Sequence, residues 1–152
     1  MRSSLPPLIA VVHLPPLPGS PGFRGESLEG LIERARSNCE ALCGAGFGGI
    51  IVENFGDAPF FKESVPSITL TSMTRLVAAL SDYPALMGVN VLRNDALGAL
   101  AVAASTGAAF VRVNVHTRPI LCDQVVVQRR PVRRPGSLLS PDSRDDGGQV
   151  RA

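Results

Sequence analysis

The sequence predicts an α/β protein whose parallel strands belong to a TIM-type (β/α)8 barrel. Three observations carry this. Short apolar runs rich in β-branched residues alternate with segments of helical periodicity, in the order β-α-β-α-β-α-β over residues 8–115. None of the runs alternates cleanly between apolar and polar residues, as expected of strands packed on both faces. Polar residues gather at the ends of the runs, where parallel α/β folds build their sites. His13 follows LIAVV, Glu53 and Asn54 follow GIIV, GVNVLRND carries Asn90, Arg93, Asn94 and Asp95, and FVRVNVH carries Arg112, Asn114 and His116.

Residues 8–14 read as the first strand, followed by a Pro/Gly loop, PPLPGSPGFRGE (15–26). Ser27 is a helix cap, and Glu29 lies in the first turn, where the helix dipole favours an anion. Leu28, Leu31, Ile32, Ala35, Cys39, Leu42 and Cys43 then recur at helical spacing, and Gly44 and Gly46 end the helix. The second strand is 49–54. The connection after it, FGDAPFFKESVPSI (55–68), holds three of the six Phe in the chain, an unusual load for a solvated loop. A second helix covers about 69–82, with Leu70, Met73, Leu76, Val77 and Leu80 on one face, and Pro84 prevents its continuation. The third strand is 86–92. Asn94 caps an Ala-rich third helix from about 95 to 106, closed by Gly107, and the fourth strand is 109–115.

Parallel strands with right-handed crossovers allow an open doubly wound sheet or a barrel. Strand parity favours the barrel. His13, Glu53, Asn90, Arg112, Asn114 and His116 fall on one face of their strands, and mostly apolar neighbours fall on the other, under the helices. A polar inner face at one pole suits a barrel lumen.

The length of 152 residues suits one domain, and 45% apolar residues provide for an aliphatic core without Trp. Residues 1–124 carry nine Lys/Arg against ten Asp/Glu, whereas 125–152 carry six Arg against three Asp. The folded part therefore has no nucleic-acid signature, and the basic excess lies in the tail, where RRPVRR is a cluster able to touch nucleic acid or anionic lipid. Three cysteines, two of them four apart on a helix, make no disulfide framework and fit a reducing, cytoplasmic setting. The apolar run near the N-terminus reads as a strand rather than a signal peptide, and no run reaches membrane-spanning length. From Arg118 the helical and strand patterns stop. VVVQ (125–128) is a short edge strand, and disorder is expected after Arg129. The organisation is thus a partial barrel over 1–117 and an irregular basic tail over 118–152.

Glu53 is the leading candidate for a general acid or base, with His13 and His116 as proton carriers. The plainer role for Glu53 is a structural ion pair with Arg112 across the lumen. Two His and one carboxylate could also hold a metal, although no ligand spacing supports it. Asn54, Asn90, Asn94 and Asn114 are candidate substrate-orienting amides or caps. Arg93 is a candidate partner for a carboxylate or phosphate, with a surface ion pair the plainer reading. Asp95 is included with the substrate-binding group, its simplest role being to favour its own helix start. There is no nucleophile elbow and no dinucleotide fingerprint, and the residues name no cofactor. Pro15-x-x-Pro18 is read as part of a rigid loop.

VHLPPLPGSPG, VENFGDAPF, GVNVLRNDALGAL and FVRVNVHT together resemble the BtpA/SgcQ family, in the family's order and spacing, over about residues 8–117. The resemblance implies a (β/α)8 barrel related to phosphate-binding barrels, but no established reaction. It implies two kinds of role. One cyanobacterial branch is associated with biogenesis or stability of photosystem I, peripherally on membranes. Other members occur in sugar-utilisation settings. The first expectation is therefore a photosystem I biogenesis or stability factor that acts by binding, and the alternative is a TIM-barrel enzyme acting on a sugar or phosphosugar. The chain departs from the family at Arg118-Pro119, where a glycine would follow Thr117. A barrel needs about 250 residues, and about 117 here fit the pattern. The expectation is a truncated or frameshifted reading of a longer gene, or a non-functional fragment, whose open sheet edges favour self-association.

Overall fold

The computed structural model describes residues 5–115 and two short segments beyond them, Ile120–Leu121 and Val126–Val127. The expectations for His116, for RRPVRR and for the chain after Arg129 lie outside the described residues.

Four strands and three helices alternate: β1 (Ile9–His13), α1 (Leu28–Gly44), β2 (Gly49–Glu53), α2 (Ser67–Ala78), β3 (Leu86–Asn90), α3 (Ala96–Thr106) and β4 (Phe110–Val111). The strands form one parallel sheet in the order β1-β2-β3-β4. A doubly wound sheet reverses its strand order, which sends helices to both faces. An unreversed order with right-handed crossovers stacks every helix on one face, as in a barrel wall. The packing agrees. Val12, Ile50, Val52, Met87 and Val89 share one buried cluster with Leu31, Ala35 and Cys39 of α1, Met73, Leu76 and Val77 of α2, and Ala99 and Val102 of α3. Each large side chain in it contributes about 1.5–3 kcal/mol of burial. On the other face Val11 and His13 are exposed and Phe110 is half-buried. This is an α/β fold with the architecture of the first four units of a TIM-type barrel.

The helix starts follow from local chemistry. Ser27 is extended, and its Oγ accepts a hydrogen bond from Gly30 N at 3.1 Å, which caps α1 as expected. α2 runs from Ser67 to Ala78 rather than over 69–82. Extended Pro66 supplies the carbonyl that accepts from Thr69 N and Leu70 N, so the helix begins two residues early. After Ala78 the chain continues in i→i+3 turns that keep Leu80 fully buried, and the apolar periodicity therefore outlasts the helix. The cap of α3 is Asp95, not Asn94: Asp95 Oδ1 accepts from Gly98 N at 2.8 Å, and the Asn94 carboxamide is engaged elsewhere.

The fourth strand is also shorter than 109–115. Paired geometry is confined to Phe110–Val111, although Ala109 N and Arg112 N still donate to Met87 O and Val89 O of the neighbouring chain segment. The residues after Arg112 are held by side chains instead, as described below. The edge strand expected in VVVQ is β6 (Val126–Val127), which pairs antiparallel with β5 (Ile120–Leu121), a strand the sequence pattern did not reveal.

Candidate functional site

Sheet register brings four of the predicted residues into one row. His13 is level with Glu53, and Glu53 with Asn90. Gly88 is level with Phe110, so two residues on Asn90 is level with Arg112. All four lie at the carboxyl ends of their strands on the face away from the helices. The row beneath is Val11, Ile51, Gly88 and Phe110. There the Phe110 ring lies across Gly88 so closely that a Cβ on Gly88 would sit 2.4 Å from it. The missing side chain at position 88 thus makes room for the ring that floors the site.

Glu53 is 5% exposed, although it lies on the uncovered face. Its Oε2 is 3.5 Å from Arg112 Nη1, the expected ion pair, but receives no hydrogen bond from any described residue. The Arg112 side chain is 49% exposed and can turn to a second anion. Asn90 is buried, and its Nδ2 lies 3.5 Å from Asn114 Oδ1, at the limit of a hydrogen bond. His13 stacks on Phe55, with ring centroids 4.2 Å apart and planes 14° from parallel. Phe60 is tilted at 59° to Phe55, its centroid 6.3 Å away, and the Arg93 guanidinium lies 5.4 Å from the Phe60 centroid.

The other predicted residues build the frame around this row. Asn54 is fully buried: Oδ1 accepts from Leu92 N at 2.7 Å, and Nδ2 donates to Asp57 Oδ2 at 3.0 Å. Asp57 Oδ1 in turn accepts from Leu17 N at 2.7 Å. One buried pair of side chains thus ties together the loops that follow β1, β2 and β3. Asn94 takes Val115 N at 2.9 Å on Oδ1 and donates to Val115 O at 3.1 Å, and Asn114 Nδ2 donates to Arg93 O at 2.9 Å. Asp95 uses its second oxygen to accept from Val65 N at 3.0 Å, which fastens the end of the Phe-rich loop to the start of α3. The carboxamides of Asn54 and Asn94 and both oxygens of Asp95 are therefore occupied by main chain or, for Asn54 Nδ2, by Asp57. Arg93 is buried, with its guanidinium over the Phe60 ring.

Asp57 and Gly56 were missed by sequence reasoning. Gly56 packs against the backbone of Leu14, Pro15 and Pro16, where a Cβ would come within 2.4 Å of Pro16 N, and Gly56 N donates to Leu14 O at 2.9 Å. The Asn-x-x-Asp spacing of NFGD was the available signal. Two polar residues three apart around a glycine can close a turn on themselves. Among the described residues, no group of three or more His, Cys, Asp and Glu side chains converges on a point that could hold a metal ion. Nor is any described helix long and apolar enough to cross a membrane.

The sequence profile of the BtpA family matches residues 5–133. The chain belongs to the BtpA family. This BtpA-family chain is 48% identical over 123 residues to the photosystem I biogenesis protein BtpA of Synechocystis, an alignment covering 80% of the chain and 42% of that protein. It is 45% identical over 129 residues to an uncharacterized protein of Pyrococcus horikoshii, covering 84% of the chain and 49% of the relative. It is also 32% identical over 118 residues to an uncharacterized mitochondrial protein of Caenorhabditis elegans, covering 74% and 42%. The BtpA-family chain thus spans less than half the length of these curated relatives. No solved structure matches it.

Proposed function

We propose that the carboxyl pole of this BtpA-family barrel wall is a site for a small polar molecule of the sugar or phosphosugar class, acted on by acid–base chemistry. The carrying observation is the buried, hydrogen-bond-deficient Glu53 carboxylate, level with His13, Asn90 and Arg112 on the helix-free face. In this reading Glu53 takes or gives a proton and His13 is the second proton carrier. Asn90 orients a hydroxyl group, and Arg112 receives an anionic substituent such as phosphate. Arg93 and Asn114 support the rim from the adjoining loop. His116, assigned with Glu53 from the sequence, lies outside the described residues. The N-terminus of α3 is no phosphate cradle, because the Asp95 carboxylate fills it. The relatives add a second support. Identity to an archaeal protein nearly equals identity to the cyanobacterial one, which suits a function not tied to photosynthesis.

A thermal-shift screen of sugar phosphates, on this chain and on a full-length relative, tests the proposal. Stabilisation that disappears in Glu53→Gln and Arg112→Ala supports it. Absence of any shift in the full-length relative sinks it.

The name of the Synechocystis relative favours a second reading, a photosystem I biogenesis or stability factor that acts by binding, peripheral to a membrane. Expression of this chain and of the full-length relative in a cyanobacterium lacking its own copy separates the two. Restored photosystem I levels with Glu53→Gln in place would favour binding over acid–base chemistry.

A further inference from the structure

We infer that the Glu53 end of the rim receives the ring of a sugar or cyclic polyol, with one C–H face on Phe55 and Phe60 and a ring hydroxyl donating to Glu53 Oε2. This rests on the small-molecule reading above and assigns the parts of such a ligand to residues.

Two independent features meet at this point. The first is polar. Glu53 is almost fully buried, and its Oε2 lies 3.5 Å from Arg112 Nη1 but receives no hydrogen bond from any described residue. An ionised carboxylate only accepts, so what completes it is a donor, and a phosphate is repelled. Leaving a buried acceptor unmet is costly, and a ligand hydroxyl that fills it recovers that cost on binding.

The second feature is apolar. Phe55 is 51% exposed, yet it opens the 3-10 turn Phe55–Asp57 directly after Asn54 and stacks on His13, which is level with Glu53. Phe60 meets it at 59°, and the two rings form a corner rather than a parallel slot. A planar base is held best between parallel faces. A puckered ring with axial and equatorial C–H groups, slightly positive, suits two negative ring faces that meet at an angle.

The corner is preorganised, which lowers the cost of binding. Arg93 backs Phe60, Asp95 holds Val65 at the far end of the loop, and the Asn54–Asp57 pair holds the near end. Arg112 reaches Glu53 from the opposite side of the row, two strands away. An anionic substituent therefore belongs at Arg112, away from the aromatic corner.

The test is an NMR titration of the 15N-labelled 152-residue chain with glucose, ribose, glucose 6-phosphate, ribose 5-phosphate, adenosine and inorganic phosphate. The sugar phosphates are expected to bind more tightly than the free sugars. Phe55→Ala and Glu53→Gln should each weaken both kinds of sugar at least tenfold, whereas Arg112→Ala should weaken only the phosphorylated ones. In the wild-type chain, saturating the Phe ring protons should transfer magnetisation to sugar C–H protons, a readout that needs no variant. Sugar phosphates bound equally well by the Phe55 and Glu53 variants, without transfer from the rings, would overturn the inference and leave the broader reading standing. Adenosine bound in preference to every sugar would overturn it as well. Binding of no sugar or sugar phosphate would overturn both.

Discussion

Asn94 grips the main chain of Val115 from both sides, its Oδ1 accepting from Val115 N at 2.9 Å and its Nδ2 donating to Val115 O at 3.1 Å. A carboxamide imitates a neighbouring strand here, and it continues the tether of the chain beyond β4 where ladder pairing has stopped. Replacing it by Ala leaves two buried backbone groups unmet, at about 1–3 kcal/mol each. Asn94→Ala is expected to lower stability in urea by that order and to lose amide protection at Val115 in hydrogen exchange before the core opens.

The Asn54–Asp57 pair joins three loops at once. Asp57→Asn keeps the shape but sets a donor amide against Asn54 Nδ2 or Leu17 N, both of which already donate. Urea denaturation should show a loss of about 1–3 kcal/mol, with NMR shifts spread over the loops after β1, β2 and β3. Shifts confined to residues near position 57 would contradict the three-loop junction.

Gly88 and Gly56 differ in how they can yield. A methyl group at position 88 meets the ring of Phe110, which is half-buried and can swing aside, so Gly88→Ala should cost about 1–3 kcal/mol. At position 56 the obstacle is backbone, which cannot swing, so Gly56→Ala should cost more than Gly88→Ala. Thermal melts of the two variants side by side check the order. A milder effect at position 56 would rule out the tight loop contact.

Burial pushes the Cys39 thiol up to about 11 from its ordinary value of 9.0, with a further push from Cys43. At pH 8 iodoacetamide should therefore modify half-buried Cys43 well ahead of Cys39, as read by peptide mapping. The sign of the stability effect follows. Below the ordinary value both states hold the proton. Above it the unfolded chain loses the proton while the folded chain keeps it, so this thiol's contribution to stability falls as pH rises from about 9 towards about 11. A Cys39→Ala variant should show a weaker decline over that window.

β1 is an edge strand that pairs only with β2 among the described residues, and Val11 on the helix-free face is 36% exposed. For the 152-residue chain, uncovered parallel edges and apolar lining favour pairing with a second copy. Size-exclusion chromatography with light scattering is expected to give a species larger than a monomer. A stable monomer at high micromolar concentration would count against it.

Much of this protein was legible in its residues. The alternation of β-branched runs with helical periodicity, the Ser27 cap and the parity of His13, Glu53, Asn90 and Arg112 are local or period-two properties, and they specified a parallel wall with its polar row at one pole. The Glu53–Arg112 pair followed from that parity. Family membership was carried by four sequence blocks. What only the tertiary structure decided is where the amides go. Asn54, Asn94 and Asn114 look alike in sequence, but each is assigned by a main-chain group 21 to 38 residues away, at Leu92, Val115 or Arg93. Asp95 likewise spends one oxygen on Val65, 30 residues back. Hydrogen bonds of that span depend on how loops cross above the sheet, a relation no local spacing encodes. The same crossing set Arg93 against Phe60, and Glu53 Oε2 faces Arg112 without a hydrogen bond among the described residues.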